Sequence, residues 1–168
     1  MNIYVLLKKT FDTEEKINVS NGEIEDDGAE FIINPYDEYA VEEAINQRDA
    51  HGGEVTVVTV GDEDSEKQLR TALAMGADNA VLINTEDDLE EGDAFTTAKI
   101  LEAYFEDKEA DLILGGNVAI DEASGQVGPR LAEYLGIPYV TTITDLKIEG
   151  ENVTIEKDVE GDVEIVET

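Results

Sequence analysis

Hydrophobic residues in this chain fall into two kinds of pattern: short dense runs, and longer stretches where they recur every three or four positions. The dense runs at 3–7, 55–60, 80–83, 112–114 and 138–143 are rich in β-branched and large aliphatic side chains. They do not alternate cleanly with polar residues, as expected of strands covered on both faces. Between them the period is helical. Ala40, Val41, Ala44 and Ile45 form a stripe in 37–50, with Glu42, Glu43 and Arg48 outside it, Pro35 before it and Gly52-Gly53 as a stop signal. Leu69, Ala72, Leu73 and Met75 do the same in 64–75, closed by Gly76. Phe95, Ala98, Ile100, Leu101, Tyr104 and Phe105 mark a helix over 93–107, and Val127, Leu131, Tyr134 and Leu135 one over about 125–135.

Alternating strands and helices predict an α/β fold, a doubly wound, mostly parallel sheet with helices on both faces. Two segments break the rhythm. Residues 16–26 carry the turn signal Asn21-Gly22 between short β-like arms and predict a hairpin insertion. After 144 the pattern switches to alternation (Leu146, Ile148; Val153, Ile155) around Gly150, which predicts an antiparallel C-terminal extension over 144–168, outside the doubly wound core. No internal repeat or linker is visible, so 1–168 is expected to form a single domain.

Charge narrows the function. Eleven Lys+Arg stand against 42 Asp+Glu, a net charge of −31. Phosphate-backbone binding by counterion release needs a basic stripe, and there is none. The 41% hydrophobic content in periodic blocks argues against disorder, and no calcium-loop spacing occurs. The acids are spread along the chain (Glu25-Asp26-Asp27, Asp62-Glu63-Asp64, 86–91, 158–164), the pattern of a solvated surface adapted to high salt, as in a halophile. There is no cysteine, hence no disulfide or thiolate chemistry. No apolar run is long enough to span a bilayer, and the lysines of the N-terminal segment follow its apolar run, the reverse of a secretory signal; a cytoplasmic protein is expected.

Ligands of open parallel sheets collect beyond the carboxyl ends of the strands. The residues expected there are Leu7-Lys8-Lys9, Val60-Gly61-Asp62, Ile83-Asn84 and Gly115-Gly116-Asn117. The segment 112–136 is the most informative: an apolar run stops at two glycines, a small and polar loop follows, and Ser124-Gly125 opens a helix. A helix start offers free N–H groups to an anion. Asp121 is a candidate for ribose hydroxyls, Ser124 for phosphate, and Gln126 for either. The same residues suit a plain turn and a serine cap, and neither the P-loop nor the G-x-G-x-x-G pattern is present. Lys8 and Lys9, rare cations at a strand end, suggest either a nearby anion or an ordinary exposed pair. His51, the single histidine, falls at a helix end where its ring can meet the terminal carbonyls. No acid/base pair stands out among so many carboxylates.

Six blocks in order, "VLLKKTFD", "INPYDEYAVEEAI", "GGEVTVVTVG", "LRTALAMGADNAVLI", "DLILGGNVAIDEASGQVGPRLAEYLGIP" and "VTTITDLKIEGENVTIEKDVEGDVE", resemble the beta subunit of electron transfer flavoprotein, the group that includes the FixA-type proteins. The resemblance covers essentially the whole chain. It implies a Rossmann-like fold of the adenine nucleotide alpha hydrolase-like type with added β-hairpins. It also implies a non-catalytic subunit that binds AMP, or a second FAD in bifurcating members, and pairs with an alpha subunit holding the redox-active FAD. Dehydrogenases or a quinone oxidoreductase are served through that complex. Carried over residue by residue, Leu6 and Val60 hold the adenine, and the Asn34-Pro35-Tyr36-Asp37 turn lines the site. Gly116, Asn117, Val118, Ala119 and Ile120 lead to Asp121, and Ser124, Gly125, Gln126 and Val127 complete the ribose and phosphate cradle. Tyr36 shields the partner's flavin.

Two departures qualify the resemblance. Many members read A-I-D-G-D-T-x-Q-V-G-P, where this chain has Glu122-Ala123-Ser124: a hydroxyl is kept, the second acid is lost, and AMP versus FAD stays open. Members also continue well past the position of Thr168, so a C-terminally shortened chain is expected, without the segment that wraps the alpha subunit or the loop that docks dehydrogenases. The alternative reading is a free-standing universal-stress-type nucleotide regulator, whose G-x2-G-x9-G-[ST] loop Gly115 and Asn117 do not supply. An ATP-hydrolysing enzyme is a third, and the pyrophosphatase-like Ser-Gly-Gly-x-Asp-Ser loop is missing.

Overall fold

The computed structural model describes residues 1–20, 22–25, 28–86, 92–150 and 152–167. Four parallel strands form the central sheet: β1 (Asn2–Leu6), β6 (Glu54–Gly61), β7 (Asn79–Asn84) and β8 (Leu112–Gly115), in the order β7-β6-β1-β8. Side chains alternate across it. Ile3, Val5, Val55, Val57 and Leu114 bury on one face together with Val41 and Ala44 of α1 (Pro35–His51) and Leu69 and Ala72 of α2 (Glu66–Met75). Tyr4, Leu6, Val58, Val60 and Ile113 face the other way, onto Leu101 and Phe105 of α3 (Ala94–Phe105) and Leu131 of α4 (Val127–Leu135). The sheet is thus doubly wound, with helices on both faces.

Local signals account for the helix ends. Pro35 occupies the first turn of α1, where its missing N–H costs nothing. The Asp93 carboxylate accepts the Thr96 amide at 2.8 Å and caps α3. Gly136 ends α4 in the left-handed conformation (φ 66°) that a β-carbon would strain. A 3-10 turn (Glu63–Ser65) precedes α2. Two stripes are narrower than their sequences suggest: Leu73 and Met75 on α2 and Phe95 on α3 lie exposed. The sheet ends at β7, leaving the outer flank of α2 without a strand to cover it, and Phe95 instead meets Tyr134 edge-on.

The expected fifth strand at 138–143 does not form. Pro138 has no N–H for a ladder. Thr142 takes φ 55° and donates its hydroxyl to the Asp158 carbonyl at 3.1 Å. The chain therefore leaves the parallel sheet and enters an antiparallel one, β9 (Ile143–Glu149), β10 (Asn152–Val159) and β11 (Asp162–Glu167), in which β10 is central. The alternation of 146–155 is real, but the segment does not stand wholly apart from the core. Leu146 and Ile155 bury in the same cluster as Ile3 and Val41, and the Gln47 amide of α1 donates to the Leu146 carbonyl at 3.3 Å.

Between β1 and α1 the chain makes two small ladders. β2 (Lys9–Phe11) pairs with β5 (Phe31–Ile33), stacking Phe11 on Phe31 at 4.6 Å. β3 (Asn18–Ser20) pairs with β4 (Glu23–Glu25) as the hairpin expected over 16–26. Asn21 of its turn signal lies outside the described residues, as do Asp26, Asp27 and 87–91 of the acidic runs.

Candidate functional site

Strand order decides where a ligand would sit. From β1 the chain winds outward through α1 to β6 and through α2 to β7. It then crosses back, on the opposite face through α3, to β8 on the other side of β1. The topological switch point therefore lies between the carboxyl ends of β1 and β8, where crossovers leave in opposite directions, the position at which ligands of such sheets bind. Leu6 and Gly115 are partners there. Most of the residues singled out in the sequence come from three elements here, the end of β1, the start of α1 and the loop between β8 and α4; Val60 comes from the end of β6, and Ile83-Asn84 lies at the end of the edge strand β7.

Asn34 and Asp37 are both buried, and they hold the loop in place. They are spaced as N-cap and third helical residue, the separation of a capping box, yet Asn34 makes no side-chain cap on its own helix. Its amide instead donates to the Val118 carbonyl at 3.0 Å, and its oxygen accepts the Ile120 N–H at 3.2 Å. A single carboxamide thus pairs with residues two apart, as a neighbouring strand would. The same amide nitrogen donates to Asp37 Oδ1 at 3.0 Å. Asp37 Oδ1 also accepts the Gly116 N–H at 2.9 Å, while Oδ2 accepts the Lys8 N–H at 2.7 Å. Burial pushes the Asp37 carboxyl up to about 6, against the pull of the Lys8, Asn34 and Gly116 donors. Gly116 is required by this packing. A β-carbon there would overlap Asp37 Oδ1 and lie 2.8 Å from Tyr36 Cβ.

Beyond the clamp the loop reaches the surface. Asp121 Oδ1 accepts the Glu122 N–H at 2.8 Å and Lys8 Nζ at 2.9 Å; Glu122 Oε2 lies 3.4 Å from the same ammonium. Asp121 Oδ2 takes no hydrogen bond among the described residues. Ala123 takes φ 52° and Gly125 φ 59°, with room for a β-carbon on Gly125 limited by the Asn117 carbonyl at 3.3 Å. Ser124 is exposed and forms no hydrogen bond within the described residues, and Gln126 begins α4 without a side-chain cap. The serine cap foreseen as an alternative is therefore not made, and the first amides of α4 stay open. Gln126 Oε1 accepts from Arg130 at 2.7 Å, leaving its own amide hydrogens available. Val127 packs on the apolar face with Leu6 and Val60, which sit partly buried at the ends of β1 and β6. Tyr36, 46% exposed, stands beside Gly116 at the rim, next to Pro35.

Sequence reasoning flagged Lys8 without giving it a role in the site, and did not single out Arg130. Their rarity in so acidic a chain is the signal that marks them. The anion beside Lys8 is the chain's own carboxylate pair, and Lys9 is likewise engaged. Lys9 Nζ contacts both oxygens of Asp62 at 2.7 Å and lies 4.9 Å from the Phe31 ring centre. Burial raises the Asp62 carboxyl, but Lys9 and Ser65 hold it on balance below the usual range. His51 is the exposed last residue of α1, away from the strand ends. Among the described residues no cluster suited to a metal ion occurs, and no helix is long and apolar enough to cross a membrane.

These features define a class: a doubly wound α/β domain whose ligand-capable groups lie at the switch point on a loop clamped from below. The chain belongs to the electron transfer flavoprotein family, whose domain model matches residues 22–168. It is 64% identical over 168 residues to the electron transfer flavoprotein subunit beta of Bacillus subtilis (strain 168), covering all of this chain and 65% of that protein. The subunit beta of Syntrophomonas wolfei is 40% identical over 168 residues (99% of this chain, 66% of the relative), and protein FixA of Azorhizobium caulinodans 37% over 179 residues (100% and 63%). The chain thus spans just under two thirds of the length of these relatives. Membership decides between the two readings that the residues left open, in favour of the flavoprotein family over a stress-type regulator.

Proposed function

We propose that this chain is the nucleotide-binding part of the beta subunit of a heterodimeric electron carrier and has no catalytic residue of its own. The supporting observation is the pairing of a rigid clamp with open ligand groups at one switch point. An adenine nucleotide needs an apolar rest for the base, an acceptor for ribose hydroxyls and donors for phosphate. Leu6 and Val60 offer the first, the free oxygen of Asp121 the second, and Ser124 with the amides of Gly125, Gln126 and Val127 the third. The residues present fit the group. The occupant we assign is AMP, with a second FAD as the alternative in a bifurcating member.

The partner is an alpha subunit, whose FAD supplies the electron-carrying chemistry between dehydrogenases and an acceptor such as a quinone oxidoreductase. This chain's residues bind and orient: the Asn34–Asp37 clamp fixes the loop, and Tyr36 at the rim excludes water from the partner's flavin. The site of action we assign is the cytoplasm. The test is to purify the protein from its own cells in molar salt, denature it and identify the released small molecules by mass spectrometry and absorbance. AMP is the expected product, together with one FAD from the co-purifying alpha subunit. A second equivalent of FAD in place of AMP assigns the bifurcating branch. Release of no adenine nucleotide beyond the partner's FAD overturns the reading.

A further inference from the structure

Lys8 touches both the clamp and the loop of the site. Its N–H donates to the buried Asp37 carboxylate at 2.7 Å, and its carbonyl accepts the Asn34 N–H at 2.9 Å. Those backbone bonds fix the direction in which its side chain leaves the end of β1. The side chain crosses to the loop and ends 2.9 Å from Asp121 Oδ1 and 3.4 Å from Glu122 Oε2. The contact joins residues 113 positions apart, so it spans from the first strand to the far end of the loop.

The geometry at Asp121 is specific. Oδ1 is occupied twice, by Lys8 Nζ and by the Glu122 N–H, and this fixes the plane of the carboxylate. Oδ2 is left as the free acceptor. Without the ammonium, Asp121 and Glu122 would stand as adjacent like charges in a chain that already carries −31, and repulsion would turn them apart. A carboxylate that must meet a hydroxyl pair gains from being held in place before binding, since ordering it afterwards costs entropy. We infer that Lys8 is a positioning residue of the nucleotide site, holding Asp121 so that its free oxygen faces the ribose, rather than a ligand of the phosphate. This rests on the proposed reading of the loop as an adenine-nucleotide cradle.

The distinction is measurable on the protein purified from its own cells with its partner, carrying Lys8→Met or Lys8→Arg and stripped of nucleotide. Lys8 is 39% exposed at its side chain and neither substitution touches its backbone bonds, so both variants should fold. By titration calorimetry, Lys8→Met should weaken AMP and adenosine equally, by about three- to tenfold at low salt, and Lys8→Arg should restore most of it. With dideoxy-AMP, which lacks both ribose hydroxyls, the variant and the wild type should bind alike. A loss seen with AMP and dideoxy-AMP but not with adenosine would make Lys8 a phosphate ligand and overturn the inference. So would unchanged AMP affinity in Lys8→Met. Failure of the wild type to bind AMP, adenosine or any adenine nucleotide would overturn the cradle itself, which separates that failure from an error about Lys8.

Discussion

Asp37 shows how one buried carboxylate can serve a site at the expense of the fold. Its two oxygens face three donors, Asn34 Nδ2, the Gly116 N–H and the Lys8 N–H, so no neutral amide can replace it in either orientation without setting N–H against N–H. Burial nevertheless raises the carboxyl to about 6, above its unfolded value of 3.8. A folded-state pKa that is raised means the native state binds a proton more readily than the unfolded chain. Stability from this group therefore falls as pH rises from about 4 to 6 and stays lower above 6, by about 3 kcal/mol in all. Between pH 7.5 and 4.5, wild type should gain roughly 2 kcal/mol more unfolding free energy than Asp37→Asn. Urea titrations at fixed high ionic strength would show it, and parallel pH curves for the two proteins would refute it. The variant should also be less stable than wild type at pH 4.5, where the lost acceptor is no longer offset by relief of a buried charge.

At the scale of elements, the site depends on how closely β8 approaches α1. Gly116 follows the last residue of β8 and sits against Tyr36 and Asp37 in the first turn of the helix. Gly116→Ala is expected to push the two apart, break the amide bond to Asp37 and cost roughly 2–3 kcal/mol of stability. A melting temperature unchanged from wild type would show that the approach is looser than described. The helices and four parallel strands were legible in the sequence because their periods, caps and stop glycines are local signals. In the dense run at 138–143 the missing N–H of Pro138 was a local warning against a strand, whereas the left-handed Thr142 that joins β10 was not legible. The roles of Asn34 and Asp37 were hidden for a related reason. The resemblance placed them in a turn that lines the site, while the loop groups they hold lie 79 to 86 positions away.

The whole molecule carries one dominant long-range term. With −31 net charge, self-repulsion opposes the compact state, and salt bridges such as Arg48–Asp78 neutralise little of it. We propose that the surface is adapted to high salt. The midpoint of thermal unfolding, followed by circular dichroism, should rise by several degrees between 0.05 and 1 M salt, roughly 3 °C for each 1 kcal/mol of relieved repulsion in a chain of this size. An unchanged midpoint would argue that the charges are already balanced within the fold.

What the sequence determined by itself was whatever short-range chemistry encodes: the alternation of strands and helices, the antiparallel tail, the acidic surface, and a loop of glycines, aspartate and serine before a helix. The motifs in that loop and in the N-P-Y-D turn carried the family resemblance, which the match over residues 22–168 bears out. Tertiary structure alone decided the rest. Strand order β7-β6-β1-β8 set the switch point beside β1, and that brought Lys8, Asn34 and Asp37 under a loop more than 75 residues further along. Pairings at such separations depend on which strand comes to lie beside which, a property of packing between elements that no local window of sequence contains.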